Sequence, residues 1–95
     1  MVAYVIVFRE ETTDRAPMAE YLSRARAISD EHHLVVRALH GRHEVREGAP
    51  VEAVSILEFP SYEAAQLWYD DPRYQEALAF RKQTGSFHCV IVDGV

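Results

Sequence analysis

The chain carries one cysteine, Cys89, so no internal disulfide can form and nothing points to an oxidising compartment. Its glycines, Gly41, Gly48, Gly85 and Gly94, stand far apart. That scatter excludes a phosphate-cradling loop and a dinucleotide fingerprint, and there is no nucleophile elbow, so no cofactor is implied. Positive charge is in deficit: 10 Lys+Arg against 15 Asp+Glu leave a formal charge of −5. With no basic face on offer, nucleic acid and anionic membrane surfaces are disfavoured as partners. The longest apolar run ends at Phe8, far short of the roughly 20 residues that span a bilayer. No basic stretch precedes it, so no signal peptide is expected and the cytoplasm is the expected location. Linkers, repeats and low-complexity segments are missing as well. At 95 residues the chain is the size of one domain, residues 1–95.

What is present is a regular alternation of apolar patterns. Val2 to Arg9 is β-branched and aromatic on both alternating sets, with Tyr4, Ile6 and Phe8 on one face and Val5 and Val7 on the other. A strand apolar on both faces is covered on both. Glu10 to Asp14 is polar and ends it. Asp14 or a neighbour is placed to cap a helix, with Pro17 in the first turn. Met18, Tyr21, Leu22, Ala25 and Ile28 then recur at helical spacing. His32 and His33 follow as solvated helix-end residues. Leu34 to Glu47 reads as a long second strand with a bulge or bend at Gly41. Glu47-Gly48-Ala49-Pro50 is a turn, and Val51 to Phe59 is the third strand, with Val54, Ile56 and Glu58 on one face. Ser61 caps a short helix carrying Ala64, Ala65 and Trp68. Asp71-Pro72 opens another helix, striped by Tyr74, Ala77 and Leu78 and ended by Gly85. Phe87 to Val92 is the last strand.

The order β-α-β-β-α-β is the split βαβ pattern, an α+β ferredoxin-like sandwich. Its helices cover one sheet face. Because these strands are apolar on both sides, the second face needs a cover too, and an identical sheet is the simplest one. The expectation is a homodimeric α+β barrel.

The stretch Val54 to Gln75, VSILEFPSYEAAQLWYDDPRYQ, resembles domain-of-unknown-function family thirteen-thirty, a group of small bacterial proteins. The opening AYVIV, the segment Glu47-Gly48-Ala49-Pro50 and the ending at Asp93-Gly94-Val95 are similar to it as well. The resemblance implies membership of the dimeric α+β barrel superfamily, which also holds cofactor-independent monooxygenases, muconolactone isomerases and haem-handling proteins. It implies a fold and a small-molecule pocket, not a reaction.

Arg81 shares the helical stripe of Tyr74, Ala77 and Leu78, so it points at the sheet and needs an anionic partner. Either a protein carboxylate meets it, with Glu58 the candidate, or its stem snorkels outward to water, or it clamps the carboxylate or enolate of a substrate. Glu58 on an apolar strand face is a candidate base, as is His88. Trp68, Tyr69 and Tyr74, with Tyr4 beside them, are either core or the walls for a planar ligand. His40, His43 and His88 are poorly spaced for a metal, and none is expected. Cys89 reads as a small buried hydrophobe. Two functions follow. One is a small-molecule binder or cofactor-independent isomerase or monooxygenase, with substrate held by Arg81, Trp68, Tyr69, Tyr74 and Tyr4. The other is a structural or regulatory homodimer in which Arg81 and Glu58 satisfy each other.

Overall fold

β-Branched and aromatic residues on both alternating sets place β1, Ala3–Thr12, inside the sheet of a computed structural model that describes residues 1–95. The chain continues through α1 (Met18–Ser29), a 3-10 turn (Asp30–His32), β2 (Val35–Leu39), β3 (Ala53–Phe59), α2 (Tyr62–Asp70), α3 (Pro72–Lys82) and β4 (Gly85–Asp93). The four strands lie in the order β2-β3-β1-β4, every neighbouring pair antiparallel. This is the ferredoxin-like α+β fold expected from the element order.

Alternation assigns the two faces. Ala3, Val5 and Val7 are sealed beneath the helices, packed with Ile28, Phe59, Trp68, Tyr74 and Leu78 in one core. The Trp68 ring is its hub, 4.0 Å from the Tyr74 ring and 5.2 Å from that of Phe59. Tyr4, Ile6 and Phe8 point the other way. Their cross-strand partners on β3 are Glu58, Ile56 and Val54, and on β4 Val92, Val90 and His88. No helix covers this second face.

The helix starts follow from local chemistry. The Ser61 side chain accepts from the Ala64 N–H at 3.0 Å and that of Asp71 from the Arg73 N–H at 2.9 Å, with Pro72 in the first turn of α3. Asp14, expected as a cap, instead makes a turn two residues on, accepting from the Ala16 N–H at 3.0 Å, and Pro17 occupies the cap position of α1 without a side-chain bond.

Further expectations are corrected. The second strand stops at Leu39, with its bulge between Val36 and Ala38 and not at Gly41. His40 takes a left-handed φ of 56° and turns the chain away from the sheet. Residues 40–52 form a loop, across which the His43 ring nitrogens face the carbonyls of Gly41 at 3.3 Å and Val51 at 3.0 Å. β3 accordingly starts at Ala53. β1 runs past Arg9 to Thr12, because β4 begins at Gly85 and pairs with that extension. Gly85 therefore opens a strand and does not end α3. Thr84 closes that helix, donating to the Arg81 carbonyl through its N–H at 2.9 Å and its hydroxyl at 2.6 Å. Finally, His32 is not a solvated end residue. Its Nε2 lies 2.9 Å from an Asp71 oxygen, and Arg73 joins that carboxylate at 2.8 Å to Glu31 at 2.7 Å. The end of α1 is thus clasped to the start of α3.

Two predictions follow from these contacts. A Cβ at position 85 would overlap the Glu11 carbonyl, whereas one at position 41 would meet nothing within 4 Å. Gly85→Ala is expected to lower unfolding free energy by more than about 1 kcal/mol, and Gly41→Ala to stay within about 0.5 kcal/mol, by urea denaturation. Hydrogen bonds from Arg73 and then His32 hold the Asp71 carboxyl well below the usual carboxylate range. A depressed folded-state value contributes stability above the unfolded value, near pH 4, and loses it as pH falls. Asp71→Asn keeps the cap but removes this linkage. Its urea midpoint should start lower at pH 7 and fall less steeply between about pH 5 and pH 2 than that of the native chain.

Candidate functional site

The apolar stripe of α1 is only partly used by the core. Ile28 is its one fully buried member, because α1 leans on α3 and leaves a space above β2 and β3. That space is a cavity of about 180 Å³. Its walls are apolar: Met18, Tyr21 and Leu22 from α1, Val7 and Leu57 from the sheet, Trp68 and Phe87 behind. Its mouth lies at the edge strand, where Val36 and Leu39 are about half exposed. Drug-sized sites run about 300–1,000 Å³, while an apolar cavity of about 150 Å³ takes up benzene. The space suits one ring with a small substituent.

Arg81 gives the cavity its polarity. The 100° periodicity of α3 aims it at the sheet as expected, and it is 5% exposed. No carboxylate pairs with it. Its Nη1 donates a long 3.5 Å hydrogen bond to the Tyr74 hydroxyl, its Nε is enclosed without a partner, and Nη2 has no hydrogen bond within the chain. The guanidinium carbon lies 4.7 Å from the centre of the Phe87 ring and 5.6 Å from that of Tyr21. Cation–π contacts of this kind are worth up to about 2 kcal/mol when desolvated. That offsets only part of the several kcal/mol needed to bury a charge. The other charged and titratable groups lining the cavity are Arg9, Tyr21, Arg26 and His40, so the lining holds no carboxylate although the protein is acidic overall. Arg9 is shared with Glu52 at 3.3 Å. Partial desolvation, then the nearby Arg9 charge, pushes His40 below its ordinary value.

The remaining candidates divide between the two sheet faces. Trp68 lines the cavity. Tyr74 stands one layer behind it, where burial raises its phenol above the usual range. Tyr69 packs 5.7 Å from the Tyr74 ring and does not reach the cavity. Glu58, His88 and Tyr4 are on the open face, across the sheet from Arg81. The anticipated Glu58–Arg81 pair therefore does not form. Glu58 bonds Arg37 instead, at 3.1 Å and 3.3 Å. His40, His43 and His88 are likewise dispersed among the cavity mouth, a loop and the open face. Burial raises the Cys89 thiol, which leaves it protonated and poorly nucleophilic.

Sequence reasoning passed over Tyr21, Arg9 and Arg26, and weighed His40 only as a metal ligand. Two of these had a signal. Tyr21 is the one hydroxyl on the α1 stripe, and Arg9 continues the buried Val5, Val7 alternation.

Comparison with known proteins follows the same lines. A family model described as "Domain of unknown function (DUF1330)" matches residues 2–95. None of the curated proteins matches the chain in sequence. Among solved structures, a protein of unknown function from Rhodopseudomonas palustris is similar at a TM-score of 0.76 and 18% identity, over 99% of this chain and 82% of that one. A candidate antibiotic biosynthesis monooxygenase from Caulobacter crescentus has a TM-score of 0.60 at 16% identity, over 99% of this chain and 89% of that one. A dimeric ferredoxin-like protein of unknown function from Bacteroides fragilis has a TM-score of 0.52 at 18% identity, over 98% and 95%. At these identities the likeness is one of fold. No helix is long and apolar enough to cross a membrane.

Proposed function

The chain belongs to the DUF1330 family of domains of unknown function, and from that premise we propose that it binds a small, planar organic carboxylate between α1 and the sheet. One observation carries this reading: Arg81 is buried, lines the cavity and has no anionic partner in the chain. An unpaired buried guanidinium is costly. A carboxylate on its free Nη2 would supply the missing counter-charge through a charge-assisted hydrogen bond. The apolar walls and the aromatic rings of Trp68 and Phe87 suit a ring. If the bound acid is also isomerised or oxygenated without a cofactor, the base available in the lining is His40 at the mouth. Glu58 and His88, across the sheet, have no access to that ligand.

The open face favours a homodimer. Beside half-buried Tyr4, Ile6, Phe8, Val54 and Ile56 it exposes Val90 and Val92, the latter 45% accessible. Contiguous apolar patches of this kind mark interfaces, and two copies packed sheet to sheet would form a barrel with Tyr4 and His88 at the seam. A dimer with no ligand, structural or regulatory in role, would share this face and differ only in the cavity.

Two experiments test the reading. Benzoate titrated calorimetrically at pH 7 should bind the native chain, and Arg81→Met should weaken binding about 10- to 100-fold. The same substitution should leave the melting temperature unchanged or higher, since it removes an uncompensated charge and orphans no carboxylate. Unfolding of Arg81→Met, or benzoate binding that ignores it, would turn the arginine into a structural element. For the interface, native mass spectrometry should report twice the 10.9 kDa chain mass, and Ile6→Glu, whose side chain faces away from the core, should give a folded monomer. A native chain that is monomeric at micromolar concentration would overturn the barrel.

A further inference from the structure

Two tyrosine hydroxyls and the guanidinium form a chain whose direction is set by which groups can accept. Tyr74 is completely buried, and its hydroxyl has two polar neighbours, Arg81 Nη1 at 3.5 Å and the Tyr21 hydroxyl at 2.9 Å. A guanidinium has donors only. The Tyr74 oxygen therefore accepts from Arg81, and its enclosed proton has one acceptor in the chain, the Tyr21 oxygen, so satisfying that proton makes Tyr74 the donor of the pair. Tyr21 is the acceptor of that pair, so its own proton has no partner within the chain. Unlike Tyr74, Tyr21 lines the cavity. The Arg81 guanidinium carbon is 5.6 Å from the centre of its ring. The cavity wall thus presents two neighbouring donors, the Nη2 group of Arg81 and the O–H of Tyr21. Elsewhere in the lining the Ser29 hydroxyl is engaged with the Arg26 carbonyl at 3.0 Å, while the Ser55 hydroxyl and the enclosed Trp68 Nε1 have no hydrogen-bond partner within the chain.

Resting on the carboxylate reading of this cavity, we propose that Tyr21 sets its specificity. The favoured ligand is an aromatic acid with an acceptor oxygen ortho to the carboxylate. The carboxylate sits on Arg81 and the ortho oxygen accepts from Tyr21. Tyr74 is a positioning residue: by donating to Tyr21 it turns the Tyr21 proton toward the ligand. One extra neutral hydrogen bond corresponds to a preference of about tenfold for the ortho-oxygenated acid.

The experiment is a calorimetric titration of salicylate and benzoate at pH 7 into the native chain and Tyr21→Phe. The native chain should prefer salicylate by about tenfold, and the variant should bind the two acids about equally. Because Tyr21→Phe strands the Tyr74 proton and can impair folding, the double variant Tyr21→Phe/Tyr74→Phe, which strands none, should show the same loss of preference. A preference that persists in both variants, or a native chain that binds both acids without preference, overturns the role of Tyr21 while leaving the carboxylate reading intact. A folded native chain that binds neither acid overturns both.

Discussion

A positive charge buried without a counter-charge dominates the interior of this protein. Arg81 arrives there because α3 carries it on the same stripe as Tyr74, Ala77 and Leu78, all sealed against the sheet. The fold satisfies it in part: a tyrosine oxygen accepts one proton, and the faces of Phe87 and Tyr21 offer their negative quadrupoles. No carboxylate approaches. The space above the sheet remains open beside this charge, and the groups that line it add arginine and histidine rather than acid. The cavity is thus apolar in most of its walls, and its charged groups are all cationic.

The sheet divides the molecule into two chemical compartments. On the helix side lie the cavity, Arg81 and the aromatic hub around Trp68. On the other side, Tyr4, Glu58 and His88 sit among Ile6, Phe8, Val54 and Ile56 on a surface no helix covers. Because strand side chains alternate, a residue on one face cannot serve the other without a register slip that would also expose Val5 and Val7. Candidate residues that look equivalent as a set of charged and aromatic side chains are therefore not interchangeable. Arg81 and Trp68 line one cavity, while Glu58 and His88 share the uncovered face.

Much of this was legible in the residues. Helical spacing alone placed Arg81 toward the sheet, and strict alternation put Glu58 with Val54 and Ile56. The face to which the helices would bind was not legible, because both faces of β1 are apolar and periodicity carries no label for inside. Leu34 to Glu47 shows the opposite failure. Its composition suits a strand, but a strand exists only where a neighbour supplies hydrogen bonds, and after the left-handed turn at His40 none is in reach. His32 was misjudged for a similar reason: its carboxylate partner, Asp71, is distant in sequence and is brought close only when α1 packs on α3.

Local residue patterns set the order of elements, the caps at Ser61 and Asp71, the two-faced strands and the inward aim of Arg81, since each depends on neighbours a few residues apart. Tertiary structure alone decided that Arg81 meets Tyr74 and not Glu58, that Tyr21 closes a hydrogen-bond chain across the helix pair, and that α1 stands off the sheet far enough to leave a cavity. Those outcomes depend on distances between segments remote in the chain, and on the choice between two apolar faces that only three-dimensional packing makes.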